Sequence, residues 1–166
     1  MTDNISINTQ SSIRIEDGIV LYFDPYQIEE ARHDADYVFI THEHYDHFSP
    51  EDILKVANDD TILIAPDSMG GLVLETSGMK EQTCRFFAPG TVHECGRMVI
   101  TTYAAYNRKK PLHKKNYGWV GYAVELENTT YFVSGATEEN DENITVRCNV
   151  AFVPIGGSVT MDSKEA

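Results

Sequence analysis

Thr41-His42-Glu43-His44-Tyr45-Asp46-His47-Phe48-Ser49-Pro50 places three histidines and an aspartate within six residues. The apolar run Tyr37-Val38-Phe39-Ile40 before it reads as a buried strand. Ser49-Pro50-Glu51-Asp52 after it reads as an N-cap, a proline at the first helical position and acids in the first turn, with Ile53, Leu54 and Val56 as an apolar stripe. The cluster therefore lies in a tight loop at the carboxyl end of a strand, where layered α/β proteins hold their functional groups. In extended geometry His42 and His44 point to the same side, and Asp46-His47 can fold back to complete a cup of imidazoles and a carboxylate. Neutral imidazole nitrogens and carboxylate oxygens are the usual ligands of zinc and related divalent ions, and an open coordination position leaves room for an activated water. The bland alternative is a histidine-rich surface loop.

Working outward, Ile5 to Ile15 alternates as a strand, Asp17-Gly18 is a turn, and Ile19 to Phe23 is a β-rich run ending at Asp24-Pro25. Gln27 to His33 is a loop or one helical turn. Thr61 to Ala65 returns as a strand closed by Pro66, and Ser68 to Ser77 carries a weak helical pattern ended by Gly78. Further on, Met98–Tyr103, Gly121–Leu126, Thr129–Val133 and Val150–Pro154 are four more strand candidates, with Glu127-Asn128 as a hairpin turn. Strands and helices mixed in this way predict an α/β fold of helices packed on sheets.

The composition narrows the function classes. Thirteen Lys+Arg against 26 Asp+Glu give a net charge of −13, which excludes the clustered basic face of a nucleic-acid binder. Arg108-Lys109-Lys110 and Lys114-Lys115 are the local exception, read either as a receptor for an anionic substrate group or as a solvated loop. Three cysteines without CxxC spacing predict a reducing, cytoplasmic setting, and no apolar stretch reaches the ~18 residues of a membrane span.

His42-x-His44-x-Asp46-His47 after an apolar strand resembles the HxHxDH signature of the metallo-β-lactamase superfamily, metal-dependent hydrolases with an αββα sandwich. The resemblance continues through Asp24-Pro25, Tyr106-Asn107, Gly118–Tyr122, Ser134-Gly135 and Val153–Gly157, and is greatest to a small branch of hydrolases related to sugar-phosphate lactonases. It implies that His42 and His44 help hold one metal and that Asp46 and His47 help hold a second, the ions being Zn2+ or Mn2+/Fe2+, one or two in number. It further implies a metal-bound hydroxide attacking an ester, lactone or phosphoester of a small, anionic substrate. Asp46 is the catalytic candidate, orienting that hydroxide if a single ion is present. Asp24 either orients a histidine or forms an ordinary Asp-Pro turn.

The departures from the family pattern matter as much as the match. Where the superfamily has a histidine after the strand Val99–Tyr103, this chain has Tyr106-Asn107, and the amide oxygen of Asn107 is a poor zinc ligand. His113 is read as its replacement or a substrate contact, or else as a solvent-facing loop histidine. The usual Gly-Asp-Thr, whose aspartate bridges two metals, is Gly135-Ala136-Thr137, and alanine has no ligand atom. Glu138 and Glu139 follow, read either as longer carboxylates reaching back in place of the lost aspartate or, the favoured reading, as part of an acidic turn Glu138 to Glu142 facing water. Thr160 to Ala166 looks like a helix N-cap and first turn, which predicts a single domain over residues 1–166 that lacks the family's final strand, last histidine and helices. Two functions are therefore expected: a metal-dependent hydrolase, mononuclear or impaired, or an inactive scaffold that binds metal and associates with itself as a homo-oligomer through uncovered sheet.

Overall fold

The computed structural model describes residues 4–166. They form two compact units, the first running to Phe86 and the second spanning Phe87–Ala166.

The first unit is built on a six-stranded sheet whose strands lie side by side in chain order: β1 (Ile5–Ile7), β2 (Ile13–Glu16), β3 (Val20–Phe23), β4 (Ala35–Phe39), β5 (Ala57–Pro66) and β6 (Cys84–Phe87). The first three strands pair antiparallel, whereas β3, β4 and β5 run parallel. Helix α1 (Pro50–Val56) makes the crossover from β4 to β5, and α2 (Gly70–Thr76) lies between β5 and β6. In α1 Ser49 is the N-cap, its hydroxyl accepting from Asp52 N, with Pro50 at the start and two acids in the first turn. Ile53 and Val56 of α1, Met69 and Val73 join Tyr22, Val38 and Leu63 in one buried cluster, so one face of the sheet is the helix-packed core. Alternation puts Leu21, Phe23, Phe39 and Ile64 on the other face, all fully buried, with Phe23 stacked on Phe39 at 4.6 Å.

The second unit is a five-stranded sheet in the order β11-β10-β9-β8-β7, from β7 (Val92–Cys95), β8 (Met98–Ala104), β9 (Val120–Leu126), β10 (Thr129–Val133) and β11 (Val150–Phe152). Four strands are antiparallel, and β11 joins β10 in parallel. Among the described residues this unit holds short 3-10 turns and no α-helix. At its end the Asp162 carboxylate accepts from Lys164 N and Glu165 N while Glu165 accepts from Asp162 N, the reciprocal bonds of a capping box and the N-cap expected there.

The α/β class and most strands agree with the sequence reading. Ile5 to Ile15 is not one strand, however. Asn8 and Ser12 close a turn in which Gln10 has φ +45, so the stretch is the hairpin β1-β2. Strands β6 and β7 carry no alternation that would announce them, and β7 is formed by pairing with β8.

Candidate metal centre

The register of β3 with β4 sets the first unit's site. Phe23 lies beside Phe39, so the residues leaving the two parallel strands emerge side by side, and Asp24 N donates to Phe39 O at 2.9 Å. Asp24, at φ +45, is fully buried. Aspartate is among the few side-chain-bearing residues that enter the left-handed region readily. Its carboxylate accepts from Thr41 N at 2.8 Å through Oδ1, and through Oδ2 from the Thr41 hydroxyl at 2.7 Å and His47 Nδ1 at 2.7 Å. A buried carboxylate satisfied three times over is a fixed anchor, not an ordinary Asp-Pro turn.

These bonds determine the histidine tautomers. A carboxylate only accepts, so the Thr41 hydroxyl spends its proton on Asp24. Thr41 Oγ1 must therefore accept from His42 Nδ1, 2.9 Å away, which makes His42 Nε2 the acceptor nitrogen when the ring is neutral. His47 Nδ1 likewise donates to Asp24, turning its Nε2 toward Asp46 Oδ2 at 3.8 Å. His42 Nε2 and His44 Nδ1 lie 3.1 Å apart, a spacing at which two nitrogens can share one ion. The His42 ring is 4.6 Å from that of His44 and 4.0 Å from that of His47. The loop closes through His47 N and Phe48 N, both donating to His44 O. The first unit thus gathers the rings of His42, His44 and His47, with the Asp46 carboxylate near His47 and Asp24 holding His47, and within this unit the His42 and His44 nitrogens lie close enough to share one ion. Burial alone would lower the His47 pKa, but the carboxylates of Asp24 and Asp46 outweigh it and raise the value above the ordinary one, so a proton competes with a metal there.

In the second unit β8 runs into the loop Tyr106–His113. Asn107 N donates to His113 O at 2.7 Å, and Asn107 Nδ2 donates to Val159 O at 2.6 Å and Pro111 O at 3.3 Å. Two carbonyl acceptors fix the amide orientation, and Asn107 Oδ1 is buried with no hydrogen-bond partner among the described residues. His113 is 3% exposed, its ring 5.2 Å from that of Trp119, which overturns the solvent-facing alternative.

A further reading is corrected here. Glu138 does not face water. It is 2% exposed, and its Oε2 accepts from the main-chain N–H groups of Arg108, Lys109 and Lys110 at 2.6, 2.7 and 3.3 Å. Burial works to raise its pKa, yet the bonds from Lys109, Lys110 and Arg108 and the Lys110 ammonium hold it below the usual carboxylate range. The basic loop, in turn, is largely matched by acids of the same unit: Arg108 pairs with Asp141, Lys110 with Glu165 and Lys115 with Glu142. His93 stacks on Phe87 at 3.6 Å.

The profile of the beta-lactamase superfamily domain matches residues 4–166, essentially the whole chain. The chain belongs to this family. It is 27% identical over 172 residues to the UPF0173 metal-dependent hydrolase of Ruegeria sp. (strain TM1040), covering 92% of this chain and 73% of that protein. Among solved structures, a metallo hydrolase from the archaeon Ignicoccus hospitalis aligns with a TM-score of 0.74 at 19% identity, over 97% of this chain and 74% of its own. The metallo-beta-lactamase fold protein YhfI from Bacillus subtilis aligns at 0.69 with 15% identity, over 97% and 73%. Among the described residues no helix is long and apolar enough to cross a membrane.

Thr41 is not among the residues the sequence singles out, and Glu138 is weighed there only as a carboxylate reaching back toward a metal and set aside for a water-facing turn. Thr41 carried a usable signal, a hydroxyl directly before the first histidine of the motif. The role Glu138 does take carries no sequence signal, because only the folded chain brings the amides of Arg108 to Lys110 to its carboxylate.

Proposed function

We propose that the protein is a metal-dependent hydrolase whose centre is His42, His44, Asp46 and His47. The observation that carries this reading is the Asp24 network, which holds His42 and His47 as Nδ1–H tautomers, so that Nε2 is the lone-pair nitrogen a metal would take. A bound divalent ion supplies positive charge that acidifies water and polarises the scissile group. Asp24 and Thr41 keep the rings from turning, and Asp46 is the carboxylate available to accept a proton from the attacking water and orient it. His113 is carried as an added ligand or substrate contact, and Asn107 as a lesser candidate. The substrate class is a small ester, lactone or phosphoester, a choice supported by the family and by the metal-dependent hydrolase name of the Ruegeria relative. Ala136, without a donor atom where the resemblance implies a bridging aspartate, favours one ion over two. It also favours the second reading, a site that binds metal without turnover.

Elemental analysis of protein purified without chelator tests the first reading against a His42→Ala/His44→Ala variant. We expect zinc, manganese or iron in the wild type and its loss in the variant; a metal-free wild type sinks the proposal. Lactone, phosphodiester and thioester substrates then separate the two readings. Turnover that falls by about 100-fold or more in Asp46→Ala supports hydrolysis through Asp46. Metal without turnover on any of the three supports the binding scaffold.

A further inference from the structure

We infer that Glu138 is the positioning residue of the loop Asn107–His113, its buried carboxylate gathering three consecutive main-chain N–H groups and so fixing the backbone that presents His113. The inference rests on the proposed reading of His113 as a ligand.

The loop is one that cannot hold itself. Leu112 and His113 are consecutive residues in the left-handed region, at φ +67 and +49, and neither is a glycine. Each such residue carries a steric penalty that surrounding structure must offset. Asn107 ties the two ends, through its N to His113 O and its side-chain amide to Pro111 O. The crest between them has no ladder partner, and its amides at 108, 109 and 110 converge on one oxygen of Glu138. Lys110 Nζ lies 3.8 Å from the other oxygen and also donates to Thr160 O at 2.6 Å, which fixes the crest from its far side.

Glu138 follows β10 and is itself held. Its neighbour Thr137 accepts from Tyr106 N at 3.1 Å and is within 2.9 Å of Tyr106 O, so adjacent residues grip the base and the crest of the same loop. Convergent main-chain N–H groups form a concavity suited to an anion. Here the anion is internal, and its negative charge strengthens all three bonds relative to a neutral amide oxygen.

The test uses the full chain as wild type, Glu138→Ala, Glu138→Gln, His113→Ala and the Glu138→Ala/His113→Ala double variant. Zn2+ affinity is measured by competition titration, and hydrogen exchange is followed at the amides of Arg108, Lys109 and Lys110. In Glu138→Ala these amides should exchange faster and Zn2+ should bind about 10- to 100-fold more weakly, the cost typical of losing a group that orients a ligand. Added acetate or formate should restore part of both losses, which no general loosening of the fold would allow. In the His113→Ala background the Glu138 substitution should leave Zn2+ affinity unchanged. If Glu138→Ala does not fold, the isosteric Glu138→Gln carries the same readouts with smaller effects. Unchanged exchange at 108–110, or an equal loss of affinity with and without His113, overturns the inference. Unchanged affinity in His113→Ala alone overturns the ligand reading instead, and faster exchange at 108–110 in Glu138→Ala then still supports the clamp.

Discussion

Thr41 serves two partners with one hydroxyl, giving its proton to Asp24 and taking one from His42. Replacing it with valine keeps the volume but leaves a buried carboxylate short of a donor and His42 Nδ1 without its acceptor. Thr41→Val should cost about 1–3 kcal/mol of stability from the unmet hydrogen bonds. It should also weaken Zn2+ binding by about tenfold, since the His42 ring is then free to choose its tautomer. Thr41→Ser, which keeps the hydroxyl, should restore most of the affinity. Urea unfolding and a zinc competition titration check the pair; equal affinity for Val and Ser would show that the hydroxyl does not orient the ring. At this scale the first-unit cluster was readable in advance, because its ligands are consecutive in the chain and follow a strand whose alternation fixes their direction.

Between elements, what could be read depended on how local the cause was. The start of α1 was legible at Ser49-Pro50-Glu51-Asp52 because a cap is made by residues within one turn. The turn at Asn8–Ser12 and the strands β6 and β7 were not, since their boundaries come from pairing with other segments. Gly121 in β9 shows the same dependence. Its sequence context is an ordinary apolar strand, yet a Cβ there would lie 2.7 Å from Ser134 O and 2.9 Å from Ser134 Cα, which are main-chain atoms unable to swing aside. The glycine permits a close main-chain approach just beyond β10. Gly121→Ala should therefore destabilise the protein by about 3 kcal/mol or more, at or above the usual range for overpacking. The same substitution at Gly71, where a Cβ meets nothing within 4 Å, should be harmless or stabilising. Paired thermal melts decide it, and equal melting temperatures would refute the steric account.

For the whole molecule, a charge of −13 suggests a chain crowded with unsatisfied acids, but the structure uses several of them as acceptors. Asp34, Asp52, Glu138 and Glu142 are each pushed up by burial and pulled further down by their donors: Arg14 and Tyr22, Ser49 and Lys55, the 108–110 amides, and Lys115 with Ala104 N. Their folded pKa values thus lie below the unfolded ones, near 4. The stability they contribute is complete above the unfolded pKa and is lost as pH falls through the folded values. Urea midpoints should be flat from about pH 7 to 5 in these groups' contribution and drop steeply below about pH 4. Replacing Glu138 with Gln should flatten that acid limb, and an unchanged slope would mean its carboxylate is not linked to folding. This level was the least legible from the chain. Charge counts locate the acids, but only the folded chain shows which of them, like Glu138, lie inside.

The parallel register of β3 against β4 carries a consequence for how this chain can vary in length. Leu21, Tyr22 and Phe23 sit beside Tyr37, Val38 and Phe39, so the phase of β4 decides which way Thr41 and His42 emerge. A strand has period two, and removing or adding one residue within Ala35–Phe39 would turn the hydroxyl away from Asp24 while moving Val38 off the helix-packed face. Insertions and deletions among natural homologues should therefore be absent from β4 and collect instead in the Gln27–His33 connection, where they leave the phase intact.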